Sequence, residues 1–142
     1  MTSADTSVTV AAFASWHEDH RLALEALSRG VRLIGHVALE TYAVLTRLPA
    51  PHRVRPELVT EYLTRSFAGP WLLLSAREHR RLLSSVSSAR ITGGAVYDAL
   101  IAATALASGE TLLTLDRRAL STYELIGARV RLLDGRFGDR RG

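Results

Sequence analysis

The chain contains no cysteine and no lysine among its 142 residues. The first absence removes disulfide staples, thiolate catalysis and cysteine-type zinc sites, and it fits a reducing compartment. The second makes each of the 18 basic residues an arginine. GC-rich codon usage is the plain origin of that bias, yet the charge acts on RNA or DNA whatever its origin. No apolar run approaches the roughly 18 residues that a membrane span requires. The opening MTSADTS has neither a basic n-region nor an apolar h-region, so export by a standard signal is not expected and a cytoplasmic location is. Internal repeats, low-complexity tracts and dividing linkers are missing too. No G-x-G-x-x-G or G-x-x-x-x-G-K-[ST] loop follows a strand, which ranks a nucleotide-binding α/β domain lowest.

What is present suits one domain with a substantial core, since 47% of residues are hydrophobic. A net charge of +4 and a sequence pI of about 10.3 favour a polyanionic partner. Short apolar runs alternate with helical periodicity. Met1–Ala4 reads as a brief first strand, less apolar than a central strand should be. An apolar helix over Val8 to Phe13 follows, and a second helix ends near Ser28, with Gly30 as its C′ residue. Val31–Gly35, Trp71–Leu74, Thr111–Leu115 and Val130–Leu133 read as four further strands. Helices are expected over His36–Leu45, Glu57–Phe67, Ala76–Val86, the stretch after Gly93-Gly94, and Arg117–Tyr123. Ser84–Ser88 reads as a frayed helix end, and Gly135–Gly142 as a mobile Arg- and Gly-rich tail. The class is therefore α/β, with a mostly parallel sheet of about five strands flanked by helices.

The stretch Gly93–Leu120 organises the chain. Asp98 is the sole charge between Arg90 and Glu110, and it opens a helix whose two stripes, Val96/Leu100/Ala103/Ala107 and Asp98/Ile101/Ala102/Ala105, both read as buried. About 18 residues later Asp116 follows an apolar strand. Asp5 and Glu40 obey the same grammar, each following a strand and opening or entering a helix. Each has an ordinary reading alone: Asp5 as a helix N-cap, Glu40 as a dipole-friendly surface acid. In a parallel sheet, however, these positions converge on one edge. Clustered carboxylates repel unless a cation intervenes, and hard oxygen donors without His or Cys point to Mg²⁺ or Mn²⁺. His17 and His20, three apart beside two acids, lack a third ligand at zinc-type spacing and read as a solvated helix start. Arg77, Arg80 and Arg81 read as a solvated helix face, with phosphate contact as the lesser alternative.

The blocks Asp5-Thr6-Ser7-Val8, Leu39-Glu40, Tyr97 to Ala105 and Leu113-Thr114-Leu115-Asp116 resemble the signature blocks of PIN-domain ribonucleases, and more closely the VapC-type toxins of bacterial toxin–antitoxin pairs. The resemblance spans about residues 2 to 133. It implies one PIN-like nuclease domain over residues 1–134, with Asp5 and Asp98 holding Mg²⁺ most directly. Glu40 and Asp116 would complete the cluster, and Thr6, Ser7 and Thr114 would support it by hydrogen bonding. It further implies an endoribonuclease acting on structured RNA, tRNA or rRNA, commonly a homodimer and silenced by a partner antitoxin. Arg117 and Arg118 are candidates for flanking phosphates, with helix-surface charge as the alternative. A metal nuclease acting on DNA and a catalytically silent antitoxin-binding module are the rival expectations.

Overall fold

The computed structural model describes residues 1–134; the tail expected to be mobile, 135–142, lies outside the described residues. In chain order the elements are β1 (Thr2–Ala4), α1 (Thr6–Phe13), α2 (His20–Ser28), β2 (Val31–Leu33), α3 (Gly35–Arg47), α4 (Pro56–Ser66), α5 (Ala76–Ser88), α6 (Ala95–Ala107), β3 (Thr111–Thr114), a 3-10 turn (Arg117–Ala119), α7 (Leu120–Ile126) and β4 (Val130–Leu132). All strand pairings are parallel, in the order β2-β1-β3-β4.

The polar first strand is central. Ser3 sits in register between Arg32 and Leu112, and Ala4 between Leu33 and Leu113. Three residues suffice because pairing on both sides satisfies the backbone polar groups. The hydroxyl of Ser3, fully buried, finds no partner.

The sheet has four strands, not five. Trp71–Leu74 makes a single parallel bridge, Leu72 to Ile34, in which Leu72 N–H donates to Leu33 O at 2.8 Å and Gly35 N–H to Leu72 O at 2.9 Å. Gly69-Pro70 precedes the segment and the cap of α5 follows at Ser75, so no room remains for a ladder. A Cβ on Gly35 would meet the tip of the Leu73 side chain, which is largely exposed and can turn aside.

The main core packs α3, α4, α6 and α7 around Leu33, Ile34, Val37, Leu45, Ile101, Leu112 and Tyr123. A smaller one seats α1 and α2 on Ala4 and Leu113. In α6, Ala99, Ile101, Ala102, Thr104 and Ala105 are buried; Val96, Leu100 and Ala103 are half-covered and Ala107 is exposed. Of the two faces expected to be buried, one stripe meets the core and the other has α5 as its cover, with Ala107 left exposed. Gly109 turns the chain from α6 into β3 with φ +69°, and Glu110 N–H closes the turn on Ala105 O at 2.9 Å.

Candidate active site

Parallel strands deliver their carboxyl ends to one edge; Asp5, Glu40 and Asp116 sit just beyond a strand or in the helix that starts there, whereas Asp98 comes from a helix that follows α5 and a Gly-Gly turn. Asp5 follows β1 and caps α1, Glu40 lies in the second turn of α3, Asp98 occupies the first turn of α6, and Asp116 follows β3 and caps the 3-10 turn.

Asp5 is only 2% exposed. Its Oδ2 accepts from the Thr114 hydroxyl and, at 2.7 Å, from the Tyr123 hydroxyl. Its Oδ1 accepts from the Ser7 hydroxyl at 2.5 Å and, over a longer 3.4 Å, from Val8 N–H. Two of these hydroxyls are aimed by the backbone. Leu115 N–H donates to Ser7 Oγ at 2.9 Å and Asp116 N–H donates to Thr114 Oγ1 at 3.0 Å. Each hydroxyl, having accepted from the end of β3, turns its own proton onto Asp5. Burial pushes the Asp5 carboxyl up, while the bonds from Ser7, Thr114, Tyr123 and Val8 pull it back. Burial and the facing Asp5 also push the Tyr123 phenol up, so it stays a donor.

Asp98 is half-buried and carries no hydrogen-bonded partner of this kind. Its carboxyl is pushed up to about 6, first by burial and then by the charges of Glu40, Asp116 and Asp5, with His36 acting in the opposite direction. The four acids therefore share one electrostatic site. Glu40 Oε2 lies 3.0 Å from His36 Nε2, without the alignment of a hydrogen bond, and the His36 ring stacks on Tyr97 at 5.4 Å and 5°. Asp116 Oδ1 accepts from Arg118 N–H at 2.9 Å.

The remaining candidates fall into two groups. Ser7 and Thr114 touch Asp5 directly, whereas the buried Thr6 hydroxyl has no partner. Arg117 and Arg118 are exposed on the 3-10 turn and make no ion pair among the described residues. Sequence reasoning overlooked Tyr123, His36 and Tyr97. His36 follows β2 at the strand-to-helix crossing and could have been found by the rule that found the acids. Tyr123 carries no local signal, because it reaches Asp5 from 118 residues away.

The donor chemistry fits a hard divalent cation: the coupled groups are carboxylates, and Oδ1 of Asp5, with one long contact, has coordination to spare. As the side chains stand, no three His, Asp or Glu groups among the described residues converge tightly enough to hold an ion. An ion held here would need Glu40, Asp98 and Asp116 to turn towards Asp5.

Comparison with known proteins identifies the family. The PIN domain family matches residues 4–125. Ribonuclease VapC40 of Mycobacterium tuberculosis, in strains CDC 1551 / Oshkosh and ATCC 25618 / H37Rv, is 50% identical over 133 residues, covering 94% of this chain and 99% of that protein. Ribonuclease VapC27 of strain ATCC 25618 / H37Rv is 43% identical over 127 residues, 89% of this chain and 92% of that protein. With its acids at the carboxyl edge of a parallel sheet and kinship over nearly its whole length, the chain belongs to the PIN-domain family, in its VapC branch.

Proposed function

We propose that this chain is a divalent-metal-dependent endoribonuclease, the toxin of a toxin–antitoxin pair, which hydrolyses phosphodiester bonds in structured cellular RNA (tRNA or rRNA) and so arrests translation and growth. The observation that carries the reading is Asp98. A half-buried carboxyl pushed up to about 6, first by burial and then by three neighbouring acids, is a group that a cation would stabilise in its charged form. The names of its relatives, both ribonucleases, supply the reaction class.

Asp5 and Asp98 would hold Mg²⁺ or Mn²⁺ most directly, with Glu40 and Asp116 completing the set. When bound, such a cation lowers the pKa of water and offsets charge on the scissile phosphate. The chain itself does the rest. Ser7, Thr114 and Tyr123 keep Asp5 in one orientation, so this one acid is preorganised and the others close on it. Glu40 or Asp116 takes the proton of the attacking water, and His36, beside Glu40, is placed to receive it onward. Arg117 and Arg118 hold flanking phosphates. In this reading the protein acts in the cytoplasm as a homodimer and is silenced by a cognate antitoxin; none of its described helices is long and apolar enough to cross a membrane.

The test is inducible expression of wild type and Asp98→Asn in a bacterium, with total RNA mapped for new 5′ ends. Growth arrest with discrete ends in wild type alone is the expected result. Equal cleavage by Asp98→Asn, or no new ends from wild type, would sink the proposal.

A further inference from the structure

Helix α5 carries its charge in a way that helix stability does not explain. Arg77 lies in the first turn, where the positive end of the helix dipole disfavours a cation. Arg80 and Arg81 follow at i+3 and i+4, so like charges face one another along a single ridge. Arg29 and Arg65 show the alternative on other helices, meeting Glu25 at 2.9 Å and Glu61 at 3.0 Å, each one turn earlier. On α5 the neighbouring acid is otherwise engaged. Glu78 Oε2 accepts from Ser75 N–H at 2.8 Å, closing a capping box with the Ser75 hydroxyl. Among the described residues none of the three guanidinium groups has an ion-pair partner.

The three side chains rim a shallow concavity whose other lining residues are Ala76 and Ser84. Small side chains at both ends of the ridge leave the guanidinium forks free around a hollow. The lining of the hollow itself offers a peptide partner no large apolar side chain to anchor on. A phosphodiester chain needs none: planar forks match phosphate oxygens in pairs, and backbone contacts position a nucleic acid without reading its bases.

We propose that Arg77, Arg80 and Arg81 form a docking surface for the phosphate backbone of the RNA substrate, apart from the four acids. This inference rests on the ribonuclease reading and adds to it where the uncut part of the RNA lies. The charge arrangement that weakens α5 in isolation becomes favourable once phosphates occupy the hollow.

The experiment measures binding of total tRNA to full-length Asp98→Asn in Mg²⁺ over a range of salt concentrations, with and without Arg77→Ala/Arg80→Ala/Arg81→Ala. Each lost phosphate contact lowers the slope of log affinity against log salt by about 0.7–0.9, so the triple variant should lose about 2 to 3 from that slope. At low salt its affinity should fall at least tenfold. Alanine favours helix, so circular dichroism should show an intact fold. A triple Arg→Lys variant should keep the slope and lose a few-fold in affinity, because charge stays and the forks go. An unchanged slope and affinity in the alanine variant overturns the docking surface and leaves the nuclease reading standing. Failure of Asp98→Asn itself to bind RNA removes both. Unchanged RNA binding combined with loss of an acidic protein partner would reassign the ridge to that partner.

Discussion

Asp5 and Asp98 are two carboxylates at one site under opposite regimes. Asp5 is sealed and surrounded by donors, so its position is fixed before any ligand arrives. Tyr123→Phe removes one hydroxyl donor to a charged acceptor and should cost about 1.5–3 kcal/mol in urea unfolding. Asp98 is held among like charges, and its carboxyl titrates near 6 instead of the ordinary 3.8. The folded chain therefore binds this proton more tightly than the unfolded one, so falling pH favours folding through that range and the ionised group opposes it above. Asp98→Asn should raise the melting temperature of the metal-free protein at pH 8 by roughly 2–4 °C. The gap should close as the pH falls from about 6 towards 3.8; a gap independent of pH would mean that the raised Asp98 carboxyl is not the cause. Asp5, Glu40 and Asp116 were legible in the sequence because each follows a strand, and Asp98 because it is the lone charge in an apolar helix after a turn. The donors were only partly so: Ser7 and Thr114 lie beside the motifs, but a tyrosine turned inward from a late helix looks like any core aromatic.

Among the elements, the helices were read closely and the strands less so. Helical periodicity, caps and Gly stops are local, so α3, α4 and α6 fall within a few residues of expectation. Pairing is not local. Trp71–Leu74 is as apolar as a strand, but whether it forms a ladder depends on what flanks it, and the flanks allow one bridge. Likewise β1 is central despite its polarity, because its neighbours decide that and its composition does not. The end of α5 differs from the frayed stretch expected. Arg90 N–H donates to Ser87 O at 3.2 Å and Ile91 N–H to Val86 O at 2.9 Å, closing the helix in an ordered Schellman turn. That turn needs a left-handed residue, and Arg90 supplies it with φ 55°. An L-residue with a side chain is strained there, so Arg90→Gly should raise stability by about 1 kcal/mol, read as a shift in urea midpoint at unchanged slope.

Across the whole molecule the sheet is tied at its other edge. Arg32 on β2 reaches Glu110, just before β3, at 3.2 Å, an ion pair that spans the short central strand. Glu110 is buried and one of its oxygens has no partner, so Arg32 is its counter-charge. Arg32→Ala should destabilise by about 2 kcal/mol, less than the roughly 3–5 of a fully enclosed pair because Arg32 is partly exposed. Adding Glu110→Gln should recover part of the loss, since the stranded charge goes with it. No sequence pattern announced this contact, because its partners lie 78 residues apart and nothing local links them.

The Tyr123 bond has a consequence in time. Asp5 is synthesised 118 residues before Tyr123, its last hydroxyl donor. Between those moments β3 and the 3-10 turn must also be made, so the site assembles only once the chain extends to Tyr123. On the proposed reading, a nascent chain shorter than this is harmless to the ribosome that makes it, and a prematurely terminated one stays harmless afterwards. A chain stopped at Leu115 should cut no RNA in an assay where the complete protein does.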